Sequence, residues 1–177
     1  MKLHLGCGKR NIEGYKHVDL ATFPHIDVFT SVDDLSMFND NTATEIYASH
    51  VLEYFDRFDA IKVLAEWRRV LIDGGTLRLS LPNFDNLLKI YNKSDDLNAI
   101  LGPIFGRMQM NDVTIYHKTV YNRELLTSVL QEAGFGKEIL DWDTFQIFPD
   151  HDDHSKAFFP HMDFSGIQVS LNVETTK

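Results

Sequence analysis

The sequence is poor in cysteine and in clustered positive charge. Its 177 residues include one cysteine and five prolines, and 17 Lys and Arg stand against 26 Asp and Glu, which gives a formal net charge of -9. A single cysteine excludes an internal disulfide and favours a reducing, cytoplasmic location. The lack of a basic run argues against a nucleic-acid partner, because backbone phosphates are bound by clustered cations.

Long apolar runs are also missing. No stretch approaches the roughly 20 apolar residues that span a bilayer, so we expect no membrane insertion. The first residues, Met-Lys-Leu-His-Leu, lead straight into a glycine loop without the apolar core of a signal peptide. Hydrophobic residues form 44% of the chain, close to the globular average. We therefore expect a single domain over residues 1–177, which could form a homodimer.

Segments typical of strands alternate with segments typical of helices. Short or alternating apolar runs predict strands at residues 2–5, 16–20, 26–30, 44–49, 76–81, 139–148 and 167–174. Apolar residues spaced by three and four predict helices at residues 56–71, 84–91, 96–108 and 122–133. This order predicts an α/β fold with a doubly wound, mainly parallel, Rossmann-like seven-stranded sheet and an antiparallel edge strand. A helical insertion is expected at about 83–119, and a His/Asp-rich loop at about 149–166.

A glycine loop followed by an acidic residue is the main functional signal. The first predicted strand ends in Leu5-Gly6-Cys7-Gly8, and the second ends at Asp19. Glycines let a backbone approach a ligand closely, and a carboxylate at the end of the second strand can accept hydrogen bonds from ribose hydroxyls. Alone, the glycines also fit a tight turn, and Asp19 also fits a turn cap.

Together with three further segments, these residues resemble the class I S-adenosylmethionine-dependent methyltransferase family. Residues 32–38 resemble the adenine-side segment of that family, residues 46–53 its fourth-strand motif, and residues 66–75 the helix and double-glycine turn before strand five. The resemblance implies S-adenosylmethionine as the cofactor. It places the following residues at the cofactor: Leu5, Gly6, Cys7, Gly8, Asp19, Leu20, Asp33, Asp34, Leu35, Ser49 and His50.

The chain departs from the family pattern in two ways. His4 stands where the family has an acidic residue two before the first glycine, and Arg10 replaces the third glycine. About ten residues separate Gly8 from Asp19, which leaves room for only a turn or so instead of a full first helix. A nicotinamide-binding Rossmann domain is the nearest rival, but it requires a third glycine and an acid about twenty residues further on.

Histidines are the candidates for the acceptor side. We predict His50 as the catalytic base, although it also fits a buried structural histidine, just as Asp33 and Asp34 also fit a solvated helix start. The predicted substrate-binding residues are His117, Tyr121, His151, His154 and His161. Spacing in the 149–166 loop also fits a divalent metal site, although a polar surface loop is the simpler interpretation and we predict no bound metal.

Two functions remain open on this basis. The first is a methyltransferase acting on a small-molecule or saccharide acceptor, since the last strand resembles bacterial methyltransferase-like proteins associated with cell-surface glycans. The second is a non-catalytic S-adenosylmethionine-binding regulator or partner subunit, which His4, Arg10 and the short first connection favour. A plain scaffold whose glycines serve folding alone is a third interpretation.

Overall fold

The computed structural model describes residues 1–110, 112–136 and 138–177, and it is built around a seven-stranded sheet. The strands are β1 Lys2–Leu5, β2 Tyr15–Asp19, β3 Val28–Phe29, β4 Ala43–Ser49, β5 Leu71–Pro82, β6 Met108–Met110, β7 Val113–Ile115, β8 Leu140–Asp141, β9 Phe158–Phe159, β10 Ile167–Gln168 and β11 Ser170–Thr176. The helices are α1 Asp59–Val70, α2 Phe84–Ser94, α3 Asn98–Phe105, α4 Arg123–Glu132 and α5 Thr144–Ile147. Single 3-10 turns cover Leu52–Tyr54 and His154–Lys156.

The strand order in the main sheet is β3-β2-β1-β4-β5-β11-β8. The pairs from β3 to β5 are all parallel, whereas β11 runs antiparallel to both β5 and β8. The predicted mainly parallel Rossmann-like sheet is confirmed. Its antiparallel strand lies next to the edge, because the two-residue strand β8 pairs outside it. Parallel strands end on the same side, so the loops after β1, β2, β4 and β5 meet at one edge of the sheet.

One face of the sheet is apolar and lies against α1 and α4. Because side chains alternate along a strand, Leu3 and Leu5 point to this face, where they belong to the same buried cluster as Trp67 of α1 and Leu130 of α4. Each fully buried leucine contributes about 1.5–3 kcal/mol. The Trp67 indole is also held by its Nε1–H, which donates to the Val32 carbonyl at 2.7 Å. This face supplies most of the core.

The other face carries buried polar side chains. His4 and Tyr47 alternate with the apolar residues of their strands, and their rings lie 5.2 Å apart on this face. Trp142 and Phe148 cover Tyr47, with ring separations of 5.7 and 4.6 Å. The segment between β8 and β9 therefore packs here, while residues 6–14 form turns without a helix. That agrees with the shortened first connection expected from the sequence.

The strand predicted at 139–148 is largely wrong. Only Leu140–Asp141 are extended, and Thr144–Ile147 form the helix α5. Asp143 starts this helix, because its side chain accepts a hydrogen bond from the Phe145 N–H at 2.8 Å. The apolar pattern that suggested a strand has another cause, because Trp142 and Phe148 are buried against Tyr47 on the polar face of the sheet.

Several other boundaries also differ. The strand predicted at 26–30 shrinks to Val28–Phe29, and the helix predicted at 96–108 spans Asn98–Phe105, after which Met108–Met110 begin a small hairpin with β7. The 73–75 turn lies within the long strand β5, where Gly74 has φ +75° and the pairing with β4 is irregular. The 149–166 loop contains a 3-10 turn and β9. Within the described residues, no helix is long and apolar enough to cross a bilayer.

Candidate functional site

The glycine loop after β1 is shaped by two left-handed glycines. Gly6 has φ +62° and Gly8 has φ +54°, which glycine adopts without steric cost. A Cβ on Gly6 would lie 2.5 Å from Cγ2 of Val51, so Gly6 allows the loop to pack against the turn after β4. A Cβ on Gly8 would meet nothing within 4 Å. Of the two glycines, Gly8 thus faces the space that a ligand could occupy.

Asp19 ties the second strand to this loop. Its Oδ2 accepts a hydrogen bond from the Gly8 N–H at 2.7 Å, and its Oδ1 accepts one from the Ala21 N–H at 2.7 Å. Both the turn-cap interpretation and the ligand interpretation are compatible with this geometry. A carboxylate has about four acceptor positions, so two remain for a ligand hydroxyl.

The other predicted cofactor residues fall into a buried and an exposed group. Leu5 and Leu35 are fully buried, and Cys7 is buried with the pKa of its thiol raised to about 12, chiefly by desolvation. The backbone rather than the side chain of these residues is therefore what a ligand could contact. Leu20, Asp33 and Asp34 are exposed, and hydrogen bonds from Ser36 lower the pKa of Asp34. Cys7 is too poorly ionised to act as a nucleophile.

The end of β4 is strained. His50, next to Ser49, has φ +55°, a left-handed conformation that costs a non-glycine residue energy and is often found at functional sites. Its backbone is held by its N–H, which donates to the Ser80 carbonyl at 2.8 Å. This left-handed conformation turns the chain away from the sheet into the 52–54 turn and leaves the His50 ring at the carboxyl edge.

Both ring nitrogens of His50 have close neighbours. Nε2 lies 2.9 Å from the Ser170 hydroxyl, and the single hydroxyl hydrogen of Ser170 is donated to the His154 carbonyl at 2.6 Å. Nε2 must therefore carry the proton and donate it to Ser170. Burial, followed by the proximity of His154, lowers the pKa of His50 to about 3. The neutral ring consequently has a bare Nδ1.

Glu53 is a residue that the sequence analysis did not single out. It is only 1% exposed, no other described residue donates a hydrogen bond to its carboxyl oxygens, and burial raises its pKa to about 8 against the opposing effect of its own backbone N–H. Its Oε1 lies 3.3 Å from Nδ1 of His50. The signal in the sequence is an acidic residue one turn after His50, directly behind the apolar pair Val51-Leu52.

His117 lies beside Glu53, and the Glu53 charge acts on Tyr121. Nε2 of His117 lies 3.8 Å from Oε1 of Glu53, and the nearby Glu53 carboxyl contributes to raising the pKa of Tyr121, after desolvation. The Lys118 N–H also donates to the Glu53 carbonyl at 2.8 Å. We call His50, Glu53, His117 and Tyr121 the Glu53 cluster.

The histidines of the 149–166 loop do not form one group. His151 turns inward, with its ring 5.9 Å from that of His4 and its Nε2 3.3 Å from Oδ2 of Asp153. His154 lies 5.0 Å from His50 between ring centres, whereas His161 is exposed. Among the residues that the structure describes, no three His, Cys, Asp or Glu side chains are placed to hold a metal ion. Only His154 of this loop joins the carboxyl edge near His50.

A known protein-family model matches part of the chain. The model of the family described as "Methyltransferase domain" matches residues 16–79, which run from β2 to β5 and include Asp19, His50 and Glu53. No curated protein sequence matches the chain.

Solved structures show the same fold over almost the whole chain. An S-adenosylmethionine-dependent methyltransferase from Archaeoglobus fulgidus is 14% identical, with a TM-score of 0.60 over 99% of this chain and 85% of the other. A Thermotoga maritima protein described as "possible histamine N-methyltransferase" is 15% identical, with a TM-score of 0.59 over 99% and 81%. A chain of the Haloferax volcanii complex with the Trm112 methyltransferase activator is 14% identical, with a TM-score of 0.56 over 99% and 80%.

The chain therefore has the fold of S-adenosylmethionine-dependent methyltransferases. The domain match over residues 16–79 supports the predicted class of enzyme, a class I methyltransferase with S-adenosylmethionine as its cofactor, and the solved structures show the fold.

Proposed function

We propose that the protein transfers the methyl group of S-adenosylmethionine to a small-molecule or saccharide acceptor. The observation that carries the proposal is the link between the glycine loop and the acid of β2. The Gly8 N–H donates to Asp19 at 2.7 Å, and the space in front of Gly8 is open. Both features lie at the carboxyl edge of a parallel sheet, which is where sheets of this type bind their ligands.

The residues of this edge fit the cofactor. Gly6, Cys7 and Gly8 offer backbone to its methionine end, and Asp19 retains acceptor capacity for the ribose hydroxyls. Asp33 and Asp34 are exposed after β3, where an adenine amine could reach them. When bound, S-adenosylmethionine supplies a methyl group activated by the positive charge on its sulfur.

The geometry favours orientation over proton transfer as the role of His50. Both of its ring nitrogens have neighbours within 3.3 Å, and a pKa of about 3 makes it a weak base at neutral pH. Methyl transfer is an in-line displacement, so holding the acceptor in place can supply much of the rate enhancement. His117 and His154 lie near His50 at the end of β4, and there we place the acceptor.

The saccharide acceptor and the glycan-associated type rest on the resemblance of the last strand to methyltransferase-like proteins of cell-surface glycan pathways. Exposed hydroxyl-rich acceptors suit a wall of histidine, tyrosine and serine side chains, which can both donate and accept hydrogen bonds. His117, Tyr121 and His154 provide such groups, and His151 would contribute only if its contact with Asp153 opened.

Titration calorimetry with S-adenosylmethionine tests the proposal. Gly8→Val should weaken binding at least about tenfold, or 1.4 kcal/mol, because its side chain fills the open space. Gly14→Val is the matched control, since Gly14 also has a positive φ, +82°, and a Cβ there also meets nothing within 4 Å. Equal affinity for both folded variants would remove the loop from the site.

A non-catalytic cofactor-binding protein or partner subunit is the second candidate. It is favoured by the helix-free connection at residues 6–14 and by the likeness to a chain found in complex with a methyltransferase activator. Formation of S-adenosylhomocysteine with a panel of methyl glycosides and small amines separates the two. Tight cofactor binding without turnover across the panel would favour the second candidate.

A further inference from the structure

The Glu53 cluster contains a buried carboxyl group whose surroundings suit only its neutral form. His50 donates from Nε2 to Ser170, so its Nδ1, 3.3 Å from Oε1 of Glu53, is a bare acceptor. The Nδ1 of His117 lies 3.1 Å from the Pro103 carbonyl, and because a carbonyl only accepts, that nitrogen carries the proton. The Nε2 of His117, 3.8 Å from Oε1, is therefore also a bare acceptor. Two acceptors facing a carboxyl group favour its O–H form.

Among the residues that the structure describes, the groups around Glu53 do not supply a compensating positive charge, since the Lys118 ammonium acts on Asp56 instead. Tyr54 lies next to it in the same turn with its pKa raised to about 12, so this phenol stays neutral, as does that of Tyr121. Asp56, three residues on, is ionised because its pKa is lowered by hydrogen bonds from the Asp59 and Phe58 N–H groups. An ionised Glu53 would thus be buried and unpaired, which is costly.

A buried carboxyl group to which no other described residue donates a hydrogen bond is poorly placed for stability, so its presence calls for an explanation. Its position supplies one. Gly6 packs against Val51, two residues before Glu53, so the segment that leads to the carboxyl group begins against the glycine loop. If S-adenosylmethionine binds in that loop, its sulfonium is the positive charge that this part of the site otherwise lacks.

We propose that Glu53 is the proton acceptor of the transfer reaction, held as the neutral acid in the free protein and ionised when the positively charged cofactor binds. The proposal rests on the proposed function. It deepens that function by specifying an acceptor hydroxyl, which must lose a proton to become methylated. An opposite charge within about 4–6 Å favours the ionised carboxyl group, whereas the uncharged sulfur of S-adenosylhomocysteine does not.

The proton balance of the reaction then closes. Glu53 loses its proton to solvent as the cofactor binds. The acceptor O–H bond breaks, its proton passes to Glu53, and the oxygen forms a bond to the methyl carbon while the C–S electron pair stays on sulfur. Glu53 is neutral again when the uncharged product S-adenosylhomocysteine remains, and the bare nitrogens of His50 and His117 favour that return. His50 and His117 act as positioning residues.

Proton release on ligand binding tests this without an acceptor. Calorimetric titrations at pH 7 in phosphate and in Tris, buffers of different ionisation enthalpy, give the number of protons released per bound ligand. We expect S-adenosylmethionine to release at least about half a proton and S-adenosylhomocysteine clearly less. The two ligands differ by one methyl group and one charge, so the difference reports the sulfonium. Burial lowers the pKa of both histidines of the cluster, to about 3 for His50, which disfavours their rings as the source of the released proton.

Two variants assign the proton to Glu53. Glu53→Gln keeps the shape of the neutral acid and should abolish the difference between the two ligands, and Asp56→Asn, which changes an ionised acid in the same segment, should preserve it. Equal proton release by both ligands in the parent protein would overturn the proposal, and so would an unchanged difference in Glu53→Gln. The comparison of the two ligands in the parent protein tests the proposal even if Glu53→Gln fails to fold. Absence of binding by either ligand would instead overturn the proposed function itself.

Discussion

Two histidine–carboxylate pairs of the protein differ in the hydrogen bonds that their carboxyl groups accept. In both pairs the nearest nitrogen and oxygen are 3.3 Å apart, His50 with Glu53 and His151 with Asp153. Asp153 also accepts hydrogen bonds from the Tyr47 hydroxyl and, at 2.8 Å, from the Ser155 N–H. To the carboxyl oxygens of Glu53, no other described residue donates a hydrogen bond.

Hydrogen bonds therefore decide the charge of each buried carboxyl group. Desolvation opposes ionisation at both sites, yet the donors around Asp153 hold its pKa well below the usual range, while that of Glu53 rises to about 8. Asp153, which accepts several hydrogen bonds, stays ionised and joins the loop to the sheet. Glu53, to which no other described residue donates, can change its protonation state, and this property suits a reaction better than it suits stability.

Asp153→Ala should produce the largest effect, a loss of about 3–5 kcal/mol in the free energy of unfolding at pH 7. It leaves the buried Tyr47 hydroxyl and Ser155 N–H without their acceptor, next to His151. Urea denaturation measures the loss. Asp152→Ala, at the exposed neighbouring residue, should cost no more than about 0.5 kcal/mol. Similar costs for the two variants would show that Asp153 does not fix this loop to the sheet.

Glu53→Gln should change how stability depends on pH. Between the ordinary carboxyl pKa of 4.5 and about 8 the folded chain holds a proton that the unfolded chain has lost, so the parent loses stability as pH rises through this interval. Glutamine removes that slope. From pH 6 to pH 8 the variant should gain up to about 3 kcal/mol relative to the parent, by urea denaturation at both pH values. Parallel curves for the two proteins would mean that Glu53 is already ionised.

Asp19→Ala sharpens the comparison, because this carboxylate is hydrogen-bonded like Asp153 yet lies at the proposed ligand site like Glu53. We expect S-adenosylmethionine binding to weaken by about 1.5–3 kcal/mol, the scale of charge-assisted hydrogen bonds. Asp27→Ala is the control, since Asp27 also accepts a backbone hydrogen bond, from the His17 N–H at 2.7 Å. Calorimetry on both folded variants should show the loss for Asp19 alone, and unchanged affinity would remove Asp19 from the site.

His161→Ala should have the smallest effect. His161 is exposed, so its replacement should change the free energy of unfolding by less than about 0.5 kcal/mol, whereas His151→Ala removes a ring packed against His4 and Asp153 and should cost more. Thermal unfolding of the two variants measures both effects. A larger loss for His161→Ala would contradict the division of the loop into an inward and an outward part.

Local signals in the sequence were sufficient for most of the sheet and for one side of the site. Strands β1, β2, β4 and β5, the helices α1 and α4, and the glycine loop were predicted because period, turn glycines and capping residues act over a few neighbouring residues. The prediction failed at 139–148, where an apolar pattern is shared by strands and buried short helices. Asp143 as a helix cap and the burial of Trp142 decided between them.

The sequence by itself determined where glycine, acid and histidine follow the strands, and the parallel topology then brings those strand ends to one edge. The tertiary structure alone decided the charge and contacts of the buried groups. Tyr47 and Asp153 are 106 residues apart, and His50 and Ser170 are 120 apart, so no local pattern pairs them. A carboxyl group keeps or loses its proton according to desolvation and the donors that reach it, and in Glu53 both depend on segments that meet only when the chain has folded.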